Sequence, residues 1–243
     1  MPARMAVPKE IVSGERRVAL DPTMAERFAK LGAELLVEKG AGRSAFFPDE
    51  AYSKSSRLID DAKALYAEAD VVFKVQAPTL EEVELLKDGA TLLAVLLPHR
   101  NLDLVKRLRD KKITSFAMEL IPRISRAQSM DVLSSQAAVA GYKVALLAAN
   151  LASGFFPMLT TAAGTIRPSK VVIIGAGVAG LQAIATCRRL GAMVEAYDVR
   201  PAARQEIESL GAKMIDTGVN AASEGGYARE LTAEEKQKQA DVL

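Results

Sequence analysis

The sequence predicts an α/β protein of two doubly wound, mostly parallel-sheet domains, the second of them truncated. Three observations carry this reading. The N-terminal half of the chain alternates compact apolar runs with helix-like stretches, the pattern of a parallel sheet whose crossovers are helices. Residues 134–153, SSQAAVAGYKVALLAANLAS, favour a long amphipathic helix that stops at Gly154, just before Pro157. Beyond it, the apolar run Lys170 to Ile174 leads directly into G-x-G-x-x-G and an alanine-rich helix. The expected boundaries are therefore an N-terminal α/β domain over 1–133, a connecting helix over 134–154, and an incomplete Rossmann-like domain over 155–243.

Taken in order, Met5 to Pro8 reads as a short strand, Thr23 to Leu31 as a helix, Glu34 to Glu38 as a strand and Asp60 to Ala67 as a helix. Val71 to Val75 comes next as a strand, Leu80 to Leu86 as a helix, Thr91 to Leu97 as a strand, Leu102 to Lys111 as a helix and Ile113 to Ala117 as a strand. Each strand is a compact apolar run, as expected when helices cover both faces of a sheet. The chain after Gly180 supplies about three strands, where a complete dinucleotide domain uses about five or six. The end of the chain, Glu234 to Leu243, is helical in composition and stops without a glycine exit.

The glycine turn carries the chemistry. Gly175 permits the tight turn out of the strand, Gly177 leaves no Cβ between the backbone and a pyrophosphate, and Gly180 lets the helix pack closely. With Ala176 and Val178 they form a phosphate cradle at the positive end of a helix. A bare G-x-G-x-x-G is weak evidence, so the next strand matters. Ala192 to Tyr197 reads as that strand and ends at Asp198, with Val199 and Arg200 behind it. An acid there accepts hydrogen bonds from an adenosine ribose and repels a 2′-phosphate, which favours NAD over NADP; Arg200 weakens that charge argument a little. The alternative is a glycine-rich turn beside a solvated aspartate.

Composition bounds the remaining classes. The chain has 243 residues, 49% of them hydrophobic, enough for two modest cores. A net charge of +2 with no basic block, and aromatics at 5%, provide neither an electrostatic footprint nor a stacking platform, so nucleic acid is not expected as a partner. Cys187, the single cysteine, excludes an intramolecular disulfide, fits a reducing compartment and reads as a buried structural thiol. The N-terminus has no apolar signal core, and the longest apolar stretches, Leu92 to Pro98 and Val144 to Leu159, read as too short or too interrupted to span a bilayer. No metal-ligand cluster is expected.

Three further segments carry a resemblance. Ala6-Val7-Pro8-Lys9-Glu10 with Glu15-Arg16-Arg17-Val18-Ala19-Leu20, the stretch Pro122-Arg123-Ile124-Ser125-Arg126-Ala127-Gln128-Ser129-Met130-Asp131 with Ser134-Ser135-Gln136, and Gly225-Gly226-Tyr227-Ala228 together resemble the NAD(H)-binding component of proton-translocating transhydrogenases. The opening segment is shared with alanine dehydrogenases. The resemblance runs along essentially the whole chain, and it implies that the component continues past Leu243 and completes the second sheet.

It also implies an activity: hydride exchange between NAD(H), bound here, and NADP(H) on a second soluble component, coupled to proton translocation by a membrane-embedded partner. A homodimer, cytoplasmic and held peripherally at the inner membrane through those partners, is implied by resemblance only. Arg123 and Asp131 would hold the nicotinamide carboxamide, Ser134 would add a hydrogen-bonding group, and Gln128 would sit between the two cofactors. Gly226 and Tyr227 resemble a mobile flap, and Gln239 a position that reaches the cofactor. Taken alone, the 123–134 stretch reads as a polar helix-entry loop capped by Ser129 or Asp131.

Two rivals remain at this point. An amino-acid dehydrogenase of the alanine type needs a general acid/base beside the nicotinamide. The resemblance puts its lysine at Gln76 and its histidine at or near Leu97, so both groups are missing, and His99, the single histidine, reads as a surface-loop residue. Arg17 resembles the arginine that grips a substrate carboxylate, but both enzyme types share it. The second rival is a non-catalytic nucleotide-binding module.

Overall fold

Asp21 and Pro22 start the first crossover: the Asp21 carboxylate accepts a hydrogen bond from the Met24 amide at 2.8 Å, and Pro22 fixes the first turn of α1 (Pro22–Lys30). This helix connects β1 (Arg4–Val7) to β2 (Glu34–Glu38), which pair in parallel with Ala6 opposite Leu36. The chain continues through α2 (Asp49–Tyr52), β3 (Ser56–Ile59), α3 (Ala62–Glu68), β4 (Val71–Phe73), α4 (Leu80–Leu85), β5 (Thr91–Ala94), α5 (Leu102–Asp110) and β6 (Thr114–Ala117). The computed structural model describes residues 2–221 and 229–243, so the flap expected at Gly226 and Tyr227 lies outside the described residues. Two compact units divide the chain, Met1–Asp131 and Val132–Leu243.

The sheet of the first unit is wholly parallel, in the order β3-β2-β1-β4-β5-β6. Winding reverses between β1 and β4, so the crevice at the carboxyl ends of those two strands is the place where such a sheet takes a ligand. Successive residues of β2 face opposite layers. Leu36 packs with Leu65, Tyr66, Val72 and Leu92 on one face, while Leu35 and Val37 pack with Val7, Ala25 and Tyr52 on the other.

Several elements differ from expectation for local reasons. The strand expected to run to Leu97 ends at Ala94, because the Glu119 carboxylate takes the Leu96 and Leu97 amides at 3.1 and 2.6 Å and Leu97 turns into the left-handed region, at φ 47°. The strand expected to run to Val75 ends at Phe73; the Val75 amide donates to Glu10 at 2.6 Å. β6 departs from the two-sided burial expected of every strand, with Thr114, Ser115 and Phe116 exposed at the sheet edge. β3 and α2 were not anticipated, since Ser56 and Arg57 interrupt any apolar run.

The second unit opens with α6 (Val132–Leu151), then an antiparallel hairpin, β7 (Leu159–Thr161) and β8 (Gly164–Ile166), that the sequence did not reveal. β9 (Lys170–Ile174), α7 (Val178–Arg189), β10 (Met193–Tyr197), α8 (Ala203–Ser209), β11 (Lys213–Met214) and α9 (Ala233–Val242) complete it. Its parallel sheet runs β11-β10-β9, so two strands come after the glycine turn among the described residues, where about three were expected. α6 packs along α7, with Gly141 and Ala145 buried. Against expectation, α6 is long and apolar enough, by length and composition, to cross a membrane. Cys187 is buried in α7, and burial pushes its thiol up in pKa.

Candidate functional site

The glycine turn has the geometry of an anion cradle. Gly175 leaves β9 with φ at +95°, a conformation that side chains resist, and its amide donates to the Tyr197 carbonyl at 2.7 Å, tying the turn to β10. Gly177 is the N-cap of α7 in extended conformation and brings no side chain to the helix end. The first helical bond from this end is Leu181 N to Gly177 O, at 2.8 Å, so the preceding amides are those an α-helix leaves without a helical acceptor. A Cβ on Gly177 would meet nothing within 4 Å, which leaves open space above those amides. Gly180 has a different role. A Cβ there would lie 1.8 Å from the Gly175 carbonyl oxygen, so this glycine lets the helix close onto the turn itself rather than onto the strands.

Asp198, at the end of β10, is built into that turn. Its Oδ2 accepts from the Ala176 amide at 2.8 Å and from Arg200 Nη2 at 2.9 Å, while its Oδ1 accepts from the Arg200 amide and Nε, both at 2.8 Å. Each carboxylate oxygen thus takes two hydrogen bonds, which is the full capacity of the group. Asp198 is only 7% exposed. Burial raises its pKa, but the Arg200 guanidinium and the two backbone amides outweigh burial and hold the carboxyl below its ordinary range. Asp198 is therefore a structural anion as well as a candidate ribose ligand. The sequence signal for this is the spacing Asp198-x-Arg200, which places a guanidinium within reach of the carboxylate two residues before it.

The remaining sequence-predicted residues lie elsewhere. Arg123 precedes a 3-10 turn, Ser125–Met130, that presents Gln128 to solvent and buries Ala127. Asp131 ends the first unit, its amide donating to the Gln128 carbonyl at 3.2 Å. Ser134 lies in the first turn of α6, in the second unit with the glycine turn. Val199 accepts the Ala221 amide at 3.0 Å through its carbonyl. Gln239 is half-buried on α9, whose start is closed by a capping box between Thr232 and Glu235. His99 is exposed in the turn between β5 and α5.

Sequence reasoning missed a second polar cluster, at the carboxyl ends of β1 and β4. Lys74 Nζ, 1% exposed, bonds Glu82 at 2.8 Å and lies 3.5 Å from Glu10, and Tyr66 donates to Glu82 at 2.9 Å. Glu10 also accepts the Val75 and Gln76 amides. No periodic signal marks such a cluster; the clue is a lysine inside an apolar strand.

Comparison with known proteins matches both halves of the chain. Residues 6–140 match the family described as "Alanine dehydrogenase/PNT, N-terminal domain", and residues 144–243 match its C-terminal counterpart. The chain is 46% identical over 250 residues to the first portion of the NAD(P) transhydrogenase subunit alpha of Rhodospirillum rubrum, covering 99% of this chain and 65% of that protein. An alanine dehydrogenase of Methanococcus maripaludis is 33% identical over 199 residues, 80% of this chain and 53% of that one. In structure, the Sinorhizobium meliloti transhydrogenase superposes with a TM-score of 0.86 at 42% identity, over 98% of this chain and 65% of its own. The chain thus spans about 65% of the length of those transhydrogenase relatives.

Proposed function

We propose, from the premise that this chain belongs to the alanine dehydrogenase/PNT family, that it binds NAD(H) and exchanges hydride with NADP(H) carried by a partner component of a proton-translocating transhydrogenase. The observation that carries the proposal is the start of α7, where Gly177 leaves open space over amides that lack a helical acceptor, beside a buried acid. The residues present fit a dinucleotide. Gly175, Ala176, Gly177, Val178 and Gly180 would cradle the pyrophosphate, and Asp198, Val199 and Arg200 would flank the adenosine ribose. When bound, the nicotinamide supplies the hydride.

The nicotinamide end rests on the resemblance of the 123–134 segment. There Arg123 and Asp131 would grip the carboxamide from opposite polarities and Ser134 would bond it, while Gln128 would orient the facing cofactor. Gln239 is proposed as a further cofactor contact. Hydride exchange between two nicotinamides needs no proton at the reacting carbons, so the chain needs no acid or base there. The partners proposed are an NADP(H)-binding component and a membrane-embedded proton-channel component, on the cytoplasmic face of the membrane, with a second copy of this chain as homodimer.

The alanine dehydrogenase reading fits less well. At the two positions where that chemistry needs acid/base groups, Gln76 donates its amide to Glu15 at 2.6 Å, and Leu97 is apolar. Transfer from NADH to a thio-NADP analogue in the reconstituted complex, assayed beside oxidation of NADH by pyruvate plus ammonium, tests the choice. Transfer without pyruvate turnover is the expected result; the reverse would overturn the proposal, and binding without either would favour a non-catalytic module.

A further inference from the structure

The crevice between β1 and β4 is the ligand position of the first unit's sheet, and an arginine, Arg17, stands there on the loop after β1. A guanidinium at a sheet crevice is a receptor for a carboxylate, because its planar fork matches two carboxylate oxygens. In this chain the fork already holds one. Glu15 accepts from Arg17 Nε at 2.7 Å and from Nη2 at 2.6 Å, a bidentate pair between residues two apart. The same carboxylate accepts the Arg17 amide at 3.0 Å and the Gln76 side-chain amide at 2.6 Å. Its side chain is 6% exposed, whereas that of Arg17 is 45% exposed.

We infer that Glu15 is a built-in carboxylate latch: it occupies the anion-binding edge of Arg17, with Gln76 as its keeper, and so excludes small 2-oxo acids and other monocarboxylates from the first unit's crevice. The Gln76 backbone is itself fixed from beneath. Glu10, whose side chain is 3% exposed, takes the Val75 and Gln76 amides at 2.6 and 3.4 Å and lies 3.5 Å from buried Lys74. Gln76 is therefore a positioning residue held by a buried network rather than a mobile surface amide.

Competition explains why the latch excludes a free acid. Glu15 is tethered beside Arg17, so an incoming carboxylate has to outcompete an intramolecular partner at high effective concentration. The latch also stays charged: the Arg17 fork, opposed by burial and aided by the Gln76 amide, holds the Glu15 carboxyl down to about 2. An incoming acid meets a neutral ion pair whose fork edge is already occupied. The inference does not rest on the nucleotide reading, because every residue in it belongs to the first unit.

Pyruvate titration of the whole 243-residue chain by calorimetry tests this, with sodium chloride as the ionic control. The unmodified chain is expected to show no saturable binding. Glu15→Gln, which keeps the shape and removes the charge, should gain pyruvate binding about tenfold or more tighter than the unmodified chain, as one charge-assisted fork is worth. Adding Arg17→Ala to that variant should abolish the gain. Gln76→Ala, which loosens the latch without touching the ion pair, should gain in the same direction by a smaller factor, and it serves if Glu15→Gln fails to fold. Saturable pyruvate binding by the unmodified chain as tight as by Glu15→Gln would overturn the inference. So would the absence of any Arg17-dependent gain in both folded variants.

Discussion

The Asp198 carboxylate lies 2.8 Å from the Ala176 amide nitrogen, so the acid that ends β10 is hydrogen bonded into the turn that ends β9. One residue thereby shapes the phosphate cradle and offers itself to the ribose. Replacing it should affect both. Asp198→Ala is expected to destabilise the chain by about 2–3 kcal/mol, because it leaves the buried Ala176 amide and the Arg200 fork without their acceptor. Asp198→Asn, which retains an acceptor for Ala176, should cost less. Urea denaturation beside NADH titration measures the two effects, and an Asp198→Ala chain of unchanged stability would refute the coupling.

Arg200 sets the charge that a nucleotide meets. It takes two of the four hydrogen bonds on Asp198 through its side chain, so it both screens that acid and competes with a ribose hydroxyl for it. Arg200→Ala should free those lone pairs and expose the negative charge. The preference for NADH over NADPH is expected to widen by about tenfold, since a ribose hydroxyl gains an acceptor and a 2′-phosphate loses its counter-charge. Calorimetric titration with both nucleotides reads this out; a narrowed preference would show instead that Arg200 favours NADH directly.

Glycines at 177 and 180 should fail in different ways. A methyl at 177 meets open space, so Gly177→Ala should fold with ordinary stability and lose NADH affinity, as only a bound pyrophosphate would meet the new Cβ. A methyl at 180 lies 1.8 Å from the Gly175 oxygen and cannot be accommodated without moving the helix. Gly180→Ala is therefore expected to lower the melting temperature as well. Circular dichroism melts beside fluorescence titration separate these outcomes.

Gln128 and Arg123 distinguish rate from binding. If Gln128 orients the facing nicotinamide, Gln128→Asn in the assembled complex should slow hydride transfer by about 100-fold while leaving NADH affinity near normal. Arg123→Ala should weaken affinity together with rate, since it removes a contact made in the ground state. Stopped-flow transfer to an NADP analogue, paired with equilibrium titration, checks both. A Gln128→Asn enzyme that transfers hydride at the unmodified rate would remove that loop from the reacting rings.

Acid sensitivity has a definite sign. Glu15 is held down to about 2 and Asp198 is also depressed, so each contributes stability that is complete above the pKa of an unfolded carboxylate and is lost as pH falls toward the folded value. Stability should therefore decline between about pH 5 and pH 2. Glu15→Gln should flatten that decline, and urea midpoints across the range measure it. An unaltered slope would mean that the Glu15 pair contributes nothing to folding.

Much of this was legible because local chemistry and tertiary context agree. Glu34 to Glu38 reads as a strand and is one, and the strand-turn-helix from Lys170 through Arg189 arises from apolar residues, glycines and alanines in sequence order. The misses lie where side chains took over backbone duties. Leu97 cannot be read as strand-ending until Glu119, 22 residues away, is known to accept its amide. Likewise, the role of Gly180 differs from its expected one because the atom it avoids is a carbonyl of the same turn. The Glu10, Lys74 and Glu82 cluster left no pattern, since its members come from separate elements that only the parallel sheet brings together. The 123–134 segment remains readable by resemblance alone.

The packing of α6 on α7 sets a tolerance for the cradle. A Cβ on Gly141 would lie 2.1 Å from the Ala179 carbonyl oxygen, so the two helices meet backbone to backbone. Ala179 belongs to the first turn of α7, the turn whose amides face the proposed phosphates. The distance of closest approach at Gly141 therefore calibrates where those amides stand. A larger residue at 141 would detune the cradle from behind, leaving every atom of the glycine turn chemically intact and its aim wrong.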